Sequence, residues 1–308
     1  MNRREWLLAS SAFVALPTWG ASRAPLLLLF PDAQEPERSV YRLIRDGING
    51  VAASAGLSVV DTVVAPDFSA ERLGALLSSS SPQAVIALGR AALNLAQQIP
   101  LSVPLYVGAV ELEVTGAGPF GGISLMAAPQ RVFATLREIA PGIRRVLYVM
   151  DLKRFGWLRA PVERAAAAAG LQAVAYEAGS LSEAAAHYLN VFRYANPATD
   201  ALWLLEQGEF VTGDTLPRIV EESWARQFVV FSNVLDHVNK GVLFAHYLDP
   251  HSLGERLAAM ALQGSSRAQQ MLFDEAPRRA VNLRIARHLA GTVDITRLAR
   301  FDLTVGEP

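Results

Sequence analysis

The sequence has no cysteine in its 308 residues. That excludes a disulfide framework, a thiolate metal site, a cysteine nucleophile and the lipid-bearing cysteine of a bacterial lipoprotein. An excess of either charge is missing too: 28 lysines and arginines face 29 aspartates and glutamates, for a formal net charge of −1. A nucleic-acid partner needs a basic surplus to neutralise phosphates, so none is expected. Histidine is scarce. His187, His237, His246, His251 and His288 are scattered, and no pair has the HExxH spacing of a metal site. There is no GxSxG elbow and no Walker loop, which leaves catalysis without a candidate constellation. No catalytic residue, metal or cofactor is assigned.

What is present is apolar mass. At 51% hydrophobic residues the chain can bury a large core and is long enough for two lobes. At the N-terminus, Arg3-Arg4 precede an apolar run from Trp6 to Leu16 and then a small, polar stretch from Thr18 to Ala24. The run is too short for an ordinary membrane span. It reads as a signal peptide over residues 1–24, and Asn2 to Leu8 resembles the twin-arginine export motif. An N-terminal core helix is the alternative; export to the periplasm is the preferred reading.

From Pro25 onward strands and helices alternate. Leu26 to Phe30 is a continuous apolar run suited to a strand buried on both faces. The helix that follows keeps Leu43, Ile44, Ile48 and Val51 on one face, and Gly56 closes it. Leu57 to Val64 is a second strand, and Ser69 suits the cap of the next helix. Val85 to Leu88 leads through Gly89 into an Ala/Leu-rich helix from Arg90, and Val103 to Val107 is another strand. Between Glu111 and Gly122 the alternation breaks. Gly116 to Gly121 matches GxGxxG in letters but precedes a strand-like segment, so the context of a dinucleotide site is absent. A second series follows, with strands at Arg145–Met150, Leu171–Tyr176, Asp200–Leu205, Phe228–Ser232 and Val242–His246. Ser180 with Glu183, and Ser252 with Glu255, have capping-box spacing. The pattern predicts an α/β protein of two doubly wound, Rossmann-like lobes with a hinge. Lobe 1 is expected over 25–123, lobe 2 over 124–249, and a return segment, mainly to lobe 1, over 250–308.

These segments resemble a known family in their order. Val85-Ile86-Ala87-Leu88-Gly89, Leu136 to Tyr148, Asp200-Ala201-Leu202-Trp203, Leu253 to Met260 and Val281-Asn282-Leu283 are similar to stretches of the ABC-transporter substrate-binding proteins that include aromatic-amino-acid binders. The resemblance implies the type I periplasmic-binding fold and a cleft that closes on a small-molecule ligand. It also implies delivery to an inner-membrane ABC permease by a monomer. A sensory subunit touching a membrane signalling receptor uses the same fold and is the second reading. The chain departs from the family at Arg90, where a small hydroxyl residue is usual, and at Glu111-Leu112-Glu113, where an aspartate-proline turn is common.

Ligand contacts are expected at strand ends facing the cleft. In lobe 1 these are Asp32, Tyr41, Gly89 and Arg90, with Tyr41 placed either to stack on ligand or to turn to the core. A cation at a helix N-terminus opposes the helix dipole by about 0.3–1 kcal/mol. Arg90 therefore calls for an anion nearby, which a ligand carboxylate or a protein acid such as Glu111 or Glu206 would supply. In lobe 2, Lys153, Arg154 and Trp157 mix cations with an aromatic, a combination suited to a small anionic or zwitterionic ligand, or else are solvated loop residues. Glu206, Gln207 and Glu209 after the Trp203 strand, and Ser232 and Asn233 after the Phe231 strand, complete the set. An amino acid or organic acid is the ligand class expected.

Overall fold

The computed structural model describes residues 23–114, 118–205, 209–264 and 270–306. The first lobe is laid down as β1 (Leu26–Pro31), α1 (Glu37–Ser54), β2 (Val59–Val64), α2 (Ala70–Ser80), β3 (Ala84–Leu88), α3 (Gly89–Ala96), β4 (Leu105–Gly108) and β5 (Gly121–Ala127). Then come α4 (Pro129–Ile139), β6 (Arg145–Asp151), α5 (Leu152–Phe155), α6 (Arg159–Ala168), β7 (Gln172–Ala178), α7 (Leu181–Tyr194) and β8 (Asp200–Leu204). The chain continues through α8 (Thr215–Ala225), β9 (Val229–Ser232), α9 (Leu235–Asn239), β10 (Phe244–Tyr247) and α10 (Pro250–Gln263). It ends with β11 (Met271–Asp274), β12 (Arg278–Asn282), α11 (Leu283–His288) and β13 (Leu303–Val305).

The described strands form two sheets, ordered β11-β5-β4-β3-β1-β2 and β13-β12-β10-β9-β8-β6-β7. Every pairing is parallel except β10 with β12. The continuous apolar runs follow from burial on both faces. Leu26, Leu28 and Phe30 of β1 enter one core while Leu27 and Leu29 enter another on the opposite side of the sheet. In the second lobe Ala201 and Trp203 of β8 likewise point to one core and Leu202 and Leu204 to the other. Trp203 is fully buried and packs edge-on against Phe133 of α4, with ring centroids 5.3 Å apart.

Caps fix several helix starts. Ser69 accepts from the Arg72 N–H, and Ser180 accepts from the Glu183 N–H while Glu183 reaches back to the Gly179 N–H. At α10 the cap is Asp249 instead of Ser252. Its carboxylate accepts from the His251 and Ser252 N–H groups, and Pro250 takes the first turn, where a missing N–H costs nothing.

The return segment divides between the lobes. α10 lies on α1 and β11 extends the first sheet beside β5, but β12, α11 and β13 belong to the second lobe. The expected return of 250–308 mainly to lobe 1 thus applies to its first half. Residue 123, the expected lobe boundary, falls inside β5. The chain therefore passes between lobes at β5 to α4, at β10 to α10 and at β11 to β12. The second and third passages depend on how closely α10 meets α1. A Cβ on Gly47 would stand 2.2 Å from the His251 carbonyl oxygen, and one on Gly254 would stand 2.0 Å from that of Ile44. Both obstacles are backbone, so neither can yield. Gly254→Ala is predicted to destabilise the protein by at least about 2–3 kcal/mol in urea unfolding, whereas Gly50→Ala, at a position with open space on α1, is predicted to be neutral or better.

Candidate functional site

Parallel sheets present their carboxyl ends as ligand shelves, because the turns there carry side chains and unpaired N–H groups. In lobe 1 the β3 end is built by Gly89, whose φ of +78° is open to glycine at little cost. A Cβ there would come 2.7 Å from the Tyr41 hydroxyl, so Tyr41 leans over the turn. Tyr41 is half-buried, and burial followed by the nearby Glu37 charge raises its pKa. Asp32, just past β1, is exposed and lines a cavity of about 280 Å³ with Tyr41, Arg38 and Arg42. Arg90 is exposed at the start of α3 and donates from Nη2 to the backbone carbonyl of Glu111 at 3.2 Å. Among the described residues, Glu111 is the expected partner that Arg90 reaches, through its carbonyl oxygen.

In lobe 2 the β6 end turns directly into α5. Asp151 caps that turn by accepting from the Lys153 N–H at 2.8 Å. The Lys153 side chain is exposed. Trp157 donates from Nε1 to the Arg154 carbonyl at 3.0 Å, and its ring lies 5.9 Å from that of Phe273 on the crossing strand β11. The backbone of Arg154 is thereby held between a capped turn and the hinge. Its guanidinium lies 5.0 Å from the centre of the Phe155 ring.

Arg154 joins the two lobes. Its Nη2 lies 3.5 Å from a carboxylate oxygen of Glu111, at the β4 end of lobe 1, and its Nη1 lies 3.0 Å from that of Glu209, beyond β8 in lobe 2. Burial raises the Glu111 pKa, opposed by the Arg154 and then the Arg90 charge and reinforced by Glu209. The side chains of Arg154, Glu111 and Glu209 are 41%, 32% and 56% exposed. At that exposure each pair is worth only about 0.2–1 kcal/mol, enough to bias the lobes and too little to lock them.

Ser232 and Asn233 have structural partners. Ser232 is fully buried; its Oγ contacts the Leu204 carbonyl and His237 Nδ1 and accepts from the Val234 N–H. The β9 end turns Ser232 under the surface. Asn233 accepts from the Trp203 indole at 3.1 Å and donates to the Leu205 carbonyl and to Met126 Sδ on the crossing strand β5. Glu206 and Gln207 lie outside the described residues. Gly89, Arg90, Tyr41, Arg154 and Trp157 thus stand at the strand ends or against the hinge. Glu111, absent from the expected contact set, and Glu209, expected there in the loop after β8, carry the cross-lobe charge. Their signal was their place: each is an acid just past a strand that a doubly wound lobe aims at its partner. Among the described residues no three His, Asp or Glu side chains gather to hold a metal, and no helix is long and apolar enough to cross a membrane. An apolar furrow of about 520 Å³ between α7 and α8 contains none of these strand-end residues.

Two mostly parallel lobes, joined by crossing strands and meeting at strand ends, define the type I periplasmic-binding fold, and the chain has that fold. No family model and no protein curated for function matches the chain. Solved structures do match. A ligand-free, open substrate-binding protein with adhesive properties from Clostridium difficile is 12% identical, with a TM-score of 0.66 over 92% of this chain and 100% of that one. A conserved domain protein from Vibrio cholerae is 14% identical, with a TM-score of 0.59 over the same shares. An ABC domain from Streptococcus pneumoniae in complex with L-Trp is 16% identical, with a TM-score of 0.58 over 91% of this chain and 99% of that one. At such identities the likeness is one of fold.

The buried histidines of lobe 2 give this architecture a pH dependence. Burial lowers the pKa of His237 to about 4, and burial with the neighbouring Arg279 charge lowers that of His246 to about 4. Both are neutral in the folded protein at pH values where the unfolded chain protonates them. Their contribution is therefore intact above pH 6.5 and lost as pH falls toward 4. Between pH 7 and 5 each is predicted to remove up to about 2 kcal/mol. His237→Asn is predicted to shrink the difference between urea-unfolding free energies measured at those two pH values.

Proposed function

We propose that the chain is a periplasmic solute-binding protein of an ABC-type importer, closing its lobes on a small polar solute such as an amino acid or organic acid. The observation that carries this reading is the meeting of the β4, β6 and β8 ends through Glu111, Arg154 and Glu209. Charged groups from both lobes meet there, and a solute touching both favours the closed arrangement by its differential affinity for it. The crossing strands β5 and β11 are the hinge, with Met126 and Phe273 as its contacts to Asn233 and Trp157. Export follows from the twin-arginine-like N-terminus, and delivery is to an inner-membrane permease by a monomer. Two of the similar structures support the class, one a substrate-binding protein and one holding L-Trp.

Thermal-shift screening of the exported protein against amino acids, organic acids, sugars and nucleosides tests the reading. One chemical class is predicted to raise the melting temperature, since a solute at a hundred times its Kd adds about 2.7 kcal/mol to stability. Absence of stabilisation by every solute contradicts it.

A further inference from the structure

The position of Arg154 narrows the class of solute. Its guanidinium spans the lobe boundary, reaching a carboxylate from each side, at 3.5 Å to Glu111 and 3.0 Å to Glu209. Arg90 does not share this duty, because its bond goes to the Glu111 backbone carbonyl. That bond fixes the Glu111 segment and leaves the carboxylate turned to Arg154. Burial penalises the Glu111 charge, so that carboxylate is best satisfied by a cation at its side.

The anchoring of Arg154 makes its side chain exchangeable. Its backbone is fixed by the Asp151 cap and the Trp157 indole, whereas its charged end is carried on a long side chain that is 41% exposed and reaches the Glu111 and Glu209 carboxylates beside the Phe155 ring. It can swing aside without disturbing β6 or the hinge. What stays behind is a pair of carboxylates, one on each lobe, at the spacing one guanidinium spans. An anionic solute entering between them meets two like charges. A cationic solute repeats the contacts that Arg154 makes and pulls both lobes together as it does so.

We propose that Arg154 is a built-in stand-in for the solute, and that the cleft takes small molecules bearing an ammonium, amidinium or guanidinium group, which bind by replacing Arg154 between Glu111 and Glu209. The proposal rests on the solute-binding reading above.

Calorimetric titration with L-arginine, putrescine and succinate, on wild type and on Arg154→Ala and Glu111→Gln, tests it. Wild type is expected to bind one or both cations and not succinate. Arg154→Ala is expected to bind the cation about 3–10-fold tighter, because an internal competitor is gone, and Glu111→Gln about 10-fold weaker or more. Arg154→Gln, similar in polarity and without charge, gives the same comparison should the alanine variant fold poorly. Binding of succinate without either cation overturns this proposal and leaves the solute-binding reading standing. Weaker cation binding by Arg154→Ala or Arg154→Gln, with an unchanged ligand-free melting temperature, overturns it as well. Binding of none of the three, together with no hit in the wider thermal-shift screen, overturns both.

Discussion

The two-lobed architecture depends on the approach of α1 and α10. These helices, about 200 residues apart in the chain, touch backbone to backbone where Gly47 faces the His251 carbonyl and Gly254 faces that of Ile44. Side chains at either place would hold α10 off the first lobe. With α10 seated, Leu253 and Leu257 complete a core shared with Leu26, Ile44 and Ile86, and β11 is delivered to the open side of β5. The crossings then follow. A lobe assembled from two distant pieces of chain cannot drift from its partner, and motion between lobes is confined to bending of the crossing segments.

That confinement gives the charges at the strand ends their meaning. Arg90, Glu111, Arg154 and Glu209 are ordinary part-exposed residues, and no pair among them stabilises the fold by much. Their importance is positional, because Glu111 rides on lobe 1 while Arg154 and Glu209 ride on lobe 2. A weak contact across a hinge shifts an equilibrium that a strong contact inside one lobe leaves alone. Trp157 against Phe273 and Asn233 against Met126 tie the same loops to the crossing strands, so the site and the hinge share residues.

Much of this was legible in the sequence. The apolar run of β1 declared a strand buried on both faces, those of β3 and β8 declared strands, and Gly89 before an Ala/Leu-rich stretch declared a strand-turn-helix, because local patterning suffices for these. Arg90 at a helix start calls for an anion, and the oxygen it meets is the Glu111 backbone carbonyl. Which oxygen it would find depended on the path of the β4–β5 connection, which local pattern does not encode. Ser232 misled for a related reason. It stands at a strand end, where the topology favours exposure, but α9 begins close behind β9 and folds the hydroxyl inward onto His237. The return segment was harder still. β12 enters antiparallel beside β10, and strand order within a sheet is a property of tertiary packing that alternation alone leaves open.

The absence of cysteine makes the central claim directly measurable, since two engineered cysteines can be spin-labelled without competition. Asp67, just past β2, and Ser182, at the start of α7 just past β7, are exposed beside the sheet edges farthest from the crossing strands. The interlobe distance between labels at Asp67→Cys and Ser182→Cys is best measured by pulsed electron resonance, with and without a solute that raises the melting temperature. A shorter, narrower distance distribution on addition of solute is the result expected of lobes that close on a ligand at the strand ends. A distribution unchanged at saturating solute would contradict it.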